Sequence, residues 1–201
     1  MPRIVLASTS PYRQELLARL HLPFDCVAPQ VDEALIAGES PRVTARRLAQ
    51  AKAEAVAATH PDALVIGADQ VADLDAEPLN KPGSHAAALA QLITLQGRTA
   101  VFHSGLALAA EGGRRVTVDS VPTTVRFRSL SRAQLDAYLR IDRPYDCAGS
   151  AKIESLGIAL VEWVRSDDPT ALIGLPLIRV VDLLSQAGVT VGTAGATEHA
   201  S

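Results

Sequence analysis

Hydroxyl groups and a guanidinium cluster near the start of the chain, directly after a short apolar run. Ile4–Ala7 predicts a buried strand, and the polar segment Ser8–Arg13 follows it. The serine–proline pair within this segment is typical of a helix N-terminus. A helix N-terminus that carries Ser8, Ser10 and Arg13 offers the donors and the charge that bind phosphate groups. On this motif alone, a serine cap and a surface arginine explain the residues equally well.

Carboxylates occur at two places that suit metal or proton chemistry. Asp32 and Glu33 form an acidic loop, which can hold a divalent cation such as magnesium or can be an ordinary solvated turn. Asp69 follows the apolar run Ala63–Ile66 and a glycine. We expect Asp69 at the carboxyl end of a strand, where open α/β sheets commonly bind ligands. There it can serve as a metal ligand or a general base, with a turn aspartate as the alternative.

Two lysines are candidates for neutralising phosphate charge. Lys52 lies on an otherwise apolar face of an alanine-rich helical pattern, where an ammonium group is costly unless it is paired. Lys81 precedes a proline in a loop. Glu154 lies in the segment Cys147–Gly157, whose small residues allow close approach to a flat ligand. Its carboxylate can accept hydrogen bonds from a base edge. Solvated surface side chains are the alternative for all three residues, and no Walker-type or dinucleotide glycine fingerprint is present.

Helical and strand patterns alternate along the chain, which predicts one α/β unit with two lobes and a cleft between them. The turn signal Glu111–Gly113 separates the two longest strand patterns. Helices are predicted over about 11–20, 41–59, 84–95, 131–139 and 176–187, and strands over 4–7, 24–27, 63–66, 99–109, 115–127 and 157–164.

Composition narrows the class of protein. The chain has 201 residues, of which 48% are hydrophobic and 20% charged, as is typical of a globular protein. A net charge of −3 and an aromatic content of 3% give no reason to expect nucleic-acid or membrane binding. Cys26 and Cys147 lack metal-site or disulfide spacing and predict reduced thiols. Without a leader pattern, we expect a cytoplasmic protein with one domain over residues 1–191 and a flexible tail over 192–201.

Taken in order, these motifs resemble those of the Maf family, nucleoside triphosphate pyrophosphatases once described as septum formation inhibitors. The resemblance spans about Ile4 to Leu184. Each motif alone is weak, whereas seven in the same order are specific. They are Ser8-x-Ser10-x-x-Arg13, Val31-Asp32-Glu33, Ala51-Lys52-Ala53, Gly67-Ala68-Asp69-Gln70, Lys81-Pro82, Cys147-Ala148-Gly149-Ser150 and Ile173-Gly174-Leu175-Pro176.

The resemblance implies a reaction and a fold. The reaction is hydrolysis between the α- and β-phosphates of a nucleoside triphosphate, with a divalent cation (Mg²⁺ or Mn²⁺). The implied fold is a mixed, elongated central sheet flanked by helices, as in Maf and inosine triphosphatase-like proteins, with a homodimer as a further expectation. Asp69 is the implied catalytic base and, with Glu33, the implied metal ligand. The implied phosphate-binding residues are Ser8, Ser10, Arg13, Lys52 and Lys81.

Within the family, the chain most resembles the 7-methyl-GTP pyrophosphatase branch, on Gln70, the Cys147–Ser150 segment and Glu154. This branch assigns Tyr12, Gln70 and Glu154 to base recognition. Tyr12 can stack on a cationic 7-methylguanine ring, a cation–π attraction of about 0.5–2 kcal/mol. Glu154 can accept hydrogen bonds from guanine N1 and N2.

Three positions depart from the branch pattern. Tyr12 stands where tryptophan is common, so the stacking ring is smaller. Ala68 stands where serine is common, which removes one hydroxyl. Ser155 stands where glycine is common, and we expect its side chain to narrow the base pocket.

Two alternatives remain open. The first is the same reaction on dTTP or UTP, against which Gln70 and Glu154 argue. The second is a nucleotide-binding regulator of cell division without catalysis, against which the presence of Glu33, Asp69 and both lysines argues. Release of pyrophosphate separates the enzyme from the regulator.

Overall fold

One mixed seven-stranded sheet organises the chain, and the computed structural model describes residues 1–192 of it. The predicted flexible tail lies outside these residues, apart from Gly192. The strands are β1 (Arg3–Ala7), β2 (Asp25–Cys26), β3 (Ala63–Leu74), β4 (Glu77–Leu79), β5 (Thr99–Ala110), β6 (Arg115–Phe127) and β7 (Val161–Ser166). The helices are α1 (Pro11–Ala18), α2 (Pro41–Ala57), α3 (His85–Leu95), α4 (Arg132–Asp142) and α5 (Leu177–Gln186).

The strand order is β2-β1-β3-β5-β6-β7, and the short β4 pairs with β3. β1 runs parallel to β2 and β3, whereas the other neighbours pair antiparallel. The predicted fold class, α/β with a mixed central sheet flanked by helices, is therefore confirmed. Among residues 1–192, no helix is long and apolar enough to cross a membrane.

The sheet passes through two lobes with separate cores. In the first lobe, the β3 residue Ile66 and the β5 residue Leu106 pack with leucines of α1 and α5. In the second lobe, Leu74 and Phe102, which belong to the same two strands, pack with α3 and α4. The long strands thus connect the lobes, and the predicted two-lobed arrangement is confirmed.

Serine caps begin four of the helices where the sequence predicts them. The side chains of Ser10, Ser40, Ser84 and Ser131 each accept a hydrogen bond from a backbone amide in the first turn. Proline follows the cap in α1 and α2, where its missing amide hydrogen costs nothing.

Gly67 does not end β3, so the prediction that Asp69 lies at a strand end is wrong. Asp69 is in the middle of the strand, opposite Gly105 of β5. The glycine serves a close helix contact instead of a turn. A Cβ atom on Gly67 would lie 2.2 Å from the Ala49 carbonyl oxygen and 2.7 Å from the Ala53 backbone nitrogen. Glycine therefore lets α2 approach β3 closely enough to place Lys52 over the strand.

The last predicted strand also begins later than expected. Leu156–Leu160 forms a 3₁₀ turn, and β7 starts at Val161. The turn is tight because a Cβ atom on Gly157 would lie 2.4 Å from the carbonyl oxygen of Lys152. Apolar residues alone did not distinguish this turn from a strand.

Candidate active site

A cavity of about 530 Å³ lies between the lobes, and all ten residues predicted for the site border it. The residues come from the loop after β1, from α1, from the loop before α2, from α2, from β3 and from two loops of the second lobe. They are Ser8, Ser10, Tyr12, Arg13, Glu33, Lys52, Asp69, Gln70, Lys81 and Glu154.

Lys52 is the centre of the charged end of this cavity. Its ammonium nitrogen lies 2.7 Å from Asp69 Oδ1 and 2.8 Å from Glu33 Oε1. The side chains of Lys52 and Asp69 are only 7% and 11% exposed, whereas that of Glu33 is 56% exposed. A buried ammonium group needs such partners, because an unpaired charge inside a protein is costly.

Arg13 and Lys81 add positive charge around the two carboxylates. Burial lowers the pKa of Arg13, and the negative charges of Asp69 and Glu33 oppose that effect. The hydrogen bond from Lys52 lowers the pKa of Glu33, and the charges of Lys52, Lys81 and Arg13 act in the same direction against burial. Arg13 is aimed by its Nε, which donates to the Gly174 carbonyl oxygen at 3.0 Å.

The two serines of the first motif form a cradle at the start of α1. Ser8 Oγ accepts from the Ser10 amide at 3.1 Å, and Ser10 Oγ accepts from the Arg13 amide at 3.4 Å. Each hydroxyl accepts inside the motif and keeps its own hydrogen for a ligand. Within residues 1–192, the amides of Thr9 and Tyr12 also have no hydrogen-bond partner. The cradle therefore has four donors available to an anion.

Gln70 borders the cavity with a side chain that is held by hydrogen bonds. Its amide nitrogen donates to Ser104 Oγ and to the carbonyl oxygens of Ala171 and Leu172, at 3.0–3.1 Å. Two carbonyl acceptors fix the orientation of the amide, since only the nitrogen can donate to them. Its Oε1 has no hydrogen-bond partner in the described part of the chain, which leaves an acceptor for a ligand.

An aromatic ring and a further carboxylate also line the cavity. Tyr12 and the exposed Glu154 both border it. The ammonium nitrogen of Lys152 lies 5.2 Å from the centre of the Tyr12 ring. Ser155 does not narrow the cavity as expected, because its hydroxyl turns towards α4 and donates to Asp142 Oδ1 at 2.8 Å. Burial raises the pKa of the neighbouring Cys147 to about 12, so its thiol stays protonated.

Several residues at the cavity were not singled out from the sequence, and one was placed wrongly. Asp32 does not join Glu33 in the cavity, because its Oδ1 accepts from the Ala34 amide within its own turn. Leu35 and Phe102 border the cavity without having been predicted. Leu35 lies in a run of apolar residues, Ala34–Ala37, which does not single it out in the sequence. Phe102 gave no signal either, because one aromatic residue in a β pattern reads as core.

The donor set suits a small divalent cation. No group of three or more histidine, cysteine, aspartate or glutamate side chains among residues 1–192 is arranged to hold a metal. However, Glu33 and Asp69 converge on one ammonium group from two different elements. Magnesium is commonly held by one or two carboxylates together with substrate phosphates and water, so two carboxylates satisfy the protein's share.

Together, the fold and the cavity define an α/β protein with a two-lobed cleft that is lined by cationic groups, carboxylates and a tyrosine ring. The family model described as "Maf-like protein" matches residues 3–187. The chain belongs to the Maf family, as its ordered motifs predict.

Relatives match over nearly the full length. The 7-methyl-GTP pyrophosphatase of Cupriavidus metallidurans is 56% identical over 93% of this chain and 94% of its own. The protein of the same name from Thiobacillus denitrificans is 56% identical over 98% of both chains. Among solved structures, the Staphylococcus aureus Ham1 protein aligns with a TM-score of 0.46 and 18% identity, over 62% of this chain and 71% of that one. No conclusion follows from a structural likeness that weak.

Proposed function

We propose that this protein is a nucleoside triphosphate pyrophosphatase that hydrolyses 7-methyl-GTP to the monophosphate and pyrophosphate. The observation that carries the proposal is the convergence of Lys52, Glu33 and Asp69 beside the serine cradle, in one cleft with Tyr12 and Glu154. The relatives that match over almost the whole chain are named for this activity.

The serine cradle and the cationic side chains bind the triphosphate. Free amides and hydroxyls at the start of α1 donate to phosphate oxygens, and the helix dipole adds to their attraction. Arg13 offers a planar fork of donors, and Lys52 and Lys81 act as point charges. These groups share the task of neutralising a substrate with about four negative charges, which no single side chain can offset.

Asp69 acts as the base for the attacking water. Its Oδ1 is held by Lys52, and its other oxygen has no hydrogen-bond partner within residues 1–192. The salt bridge fixes the side chain, so the second oxygen can accept a proton from water without reorganising. A carboxylate held in this way directs the attacking water to one phosphorus atom of the triphosphate.

Glu33 and Asp69 would hold the divalent cation, Mg²⁺ or Mn²⁺. When bound, it supplies positive charge that offsets the charge developing on the phosphate oxygens. In the absence of the cation, the ammonium group of Lys52 offsets the repulsion between the two carboxylates.

Tyr12, Gln70 and Glu154 select the base. A 7-methylguanine ring is cationic, so it gains from the face of Tyr12 and from the charge of Glu154. Gln70 contributes the acceptor Oε1, which a hydrogen on the base can meet. The preference for the methylated base then depends on its positive charge, since the guanine ring of GTP is otherwise the same but uncharged.

The test is a pyrophosphate-release screen over 7-methyl-GTP, GTP, dTTP, UTP and CTP, first with magnesium and then with manganese. We expect the highest kcat/KM on 7-methyl-GTP. Release from dTTP or UTP instead would keep the reaction and overturn the base assignment. Nucleotide binding without release from any triphosphate would favour the non-catalytic regulator.

Asp69→Asn is the matched control for this screen, because it removes the base without changing side-chain volume. We expect release to fall by about 10²–10⁴-fold, the usual contribution of a positioned base. A thermal midpoint lowered by no more than about 2–4 °C, the shift that corresponds to a loss of about 1 kcal/mol, would show that the loss of release is chemical. A variant that turns over like the wild type would remove Asp69 from the mechanism.

A further inference from the structure

Helix α4 grips the turn that carries Glu154, although the helix itself does not border the cavity. Asp142, the last residue of α4, accepts from Ser155 Oγ at 2.8 Å and from the Gly157 amide at 3.2 Å. One helical turn earlier, the hydroxyl of Tyr138 accepts from the Lys152 amide at 3.0 Å. Residues four apart lie on the same helix face, so one face of α4 holds the turn at three points.

The turn is closed as well as held. The Ser155 amide donates to the Lys152 carbonyl oxygen at 3.1 Å. The backbone of Gly157 passes so close to Lys152 that a Cβ atom there would lie 2.7 Å from the Lys152 nitrogen. A backbone crossing of this kind leaves little freedom, and Glu154 is the residue at its tip that faces the cavity.

The same turn reaches the aromatic ring through Lys152, whose ammonium nitrogen lies 5.2 Å from the Tyr12 ring centre. Lys152 contacts the ring but does not itself border the cavity. Its contact also raises its own pKa, with hydrogen bonding to Tyr12 as the largest cause. The Lys152–Gly157 turn therefore carries Glu154 and also contacts Tyr12, the two groups proposed to meet the base.

We propose that Asp142 is a positioning residue for base selectivity, which fixes the Lys152–Gly157 turn so that Glu154 faces the nucleotide base. The inference rests on the proposed function, since selectivity has meaning only if the protein hydrolyses nucleotides. Asp142 acts through Glu154 and touches no reacting atom. Its effect therefore falls on KM and on the choice of base, while kcat, set at Asp69, is unchanged.

The test compares Asp142→Ala with the wild type on 7-methyl-GTP and on GTP. We expect the ratio of the two kcat/KM values to fall about threefold to tenfold, the size of the net contribution of one typical hydrogen bond. Ser155→Ala removes only the Oδ1 contact and should lower the ratio less. Asp136→Ala is the matched control, because Asp136 lies on the same helix and pairs with Arg140 and His85 away from the turn. It should leave the ratio unchanged.

A double-mutant cycle with Glu154→Gln makes the test specific. If Asp142 acts through Glu154, adding Asp142→Ala to Glu154→Gln changes the ratio no further. Independent, multiplying effects would overturn the inference, as would an unchanged ratio in Asp142→Ala. A uniform loss on both substrates would assign Asp142 a structural role only. If the wild type releases no pyrophosphate at all, it is the proposed function that fails, so the two failures are distinguishable.

Discussion

Replacing Lys52 with methionine should destabilise the protein far more than replacing its partner Asp69 with asparagine. Lys52→Met leaves Asp69, 11% exposed, without its cation at 2.7 Å. Breaking a buried pair in this way costs about 3–5 kcal/mol. Arg13 remains near Asp69 and offsets part of its charge, so we expect a loss at the lower end of that range, about 3 kcal/mol.

The asparagine variant retains most of the arrangement. Its amide oxygen can still accept from Lys52, and Lys52 keeps Glu33 as a counter-charge. We expect a loss of about 1 kcal/mol, the difference between a charged and a neutral acceptor. In the double variant the unpaired carboxylate is gone, so the total should be about 2 kcal/mol and the coupling free energy about 2 kcal/mol.

Urea unfolding followed by fluorescence of Trp163, the only tryptophan in the chain, measures these differences. It needs no substrate and is independent of the proposed reaction. Equal losses in the two single variants, or losses that add in the double variant, would refute the view that Lys52 is held in place mainly by a buried charge pair.

Three further predictions follow from the same geometry. Gly67→Ala places a Cβ atom 2.2 Å from the Ala49 carbonyl oxygen, so α2 must move by about 1 Å; we expect a loss of about 1–3 kcal/mol and about 10²-fold in release. A Cβ atom in Gly105→Ala would lie 2.2 Å from the carbonyl oxygen of Ala45, two helical turns before Lys52. This variant should be as destabilised as Gly67→Ala but should keep more activity. Equal activity in the two variants would contradict this. Because the pKa of Cys147 is raised to about 12, iodoacetamide at pH 8 should label the exposed Cys26 faster, as measured by peptide mass spectrometry; equal labelling rates would contradict the assigned burial. The pKa of Glu33 is lowered, so its contribution to stability should be full above about pH 4.5 and should be lost as the pH falls through the lowered pKa. The difference in unfolding free energy between the wild type and Glu33→Gln should therefore shrink on acidification, and a difference that stays constant from pH 7 into the acid range would contradict the Lys52 contact.

Local chemistry made the starts of the helices and the serine cradle predictable. A serine followed by proline specifies where a helix begins, because the cap and the fixed φ angle are properties of those two residues. The cost of a buried ammonium group predicted that Lys52 needs a partner, and the structure supplies two. Motif order then identified the family, which gave ten of the residues that border the cavity.

Long-range packing could not be read in the same way. Gly67 looks like a strand end because the residues around it in the sequence do not indicate that α2 packs against β3 at this point. The role of Ser155 depends on Asp142, thirteen residues away, and so its direction was predicted wrongly. Glycine and serine each serve several structural purposes, and only the partner chosen by the fold decides between them.

The continuity of β3 and β5 through both lobes limits how the protein can move. Hinge closure needs a few residues that absorb a large change in backbone angles, and such residues lie in loops or at element ends. Here the lobes share the interiors of paired strands, whose ladder from Val65 to Asp73 has no break. We therefore expect nucleotide entry to depend on loop segments, such as the one that carries Glu33, and not on movement of one lobe against the other. A calorimetric scan should show one cooperative transition, and neither lobe should fold when expressed alone.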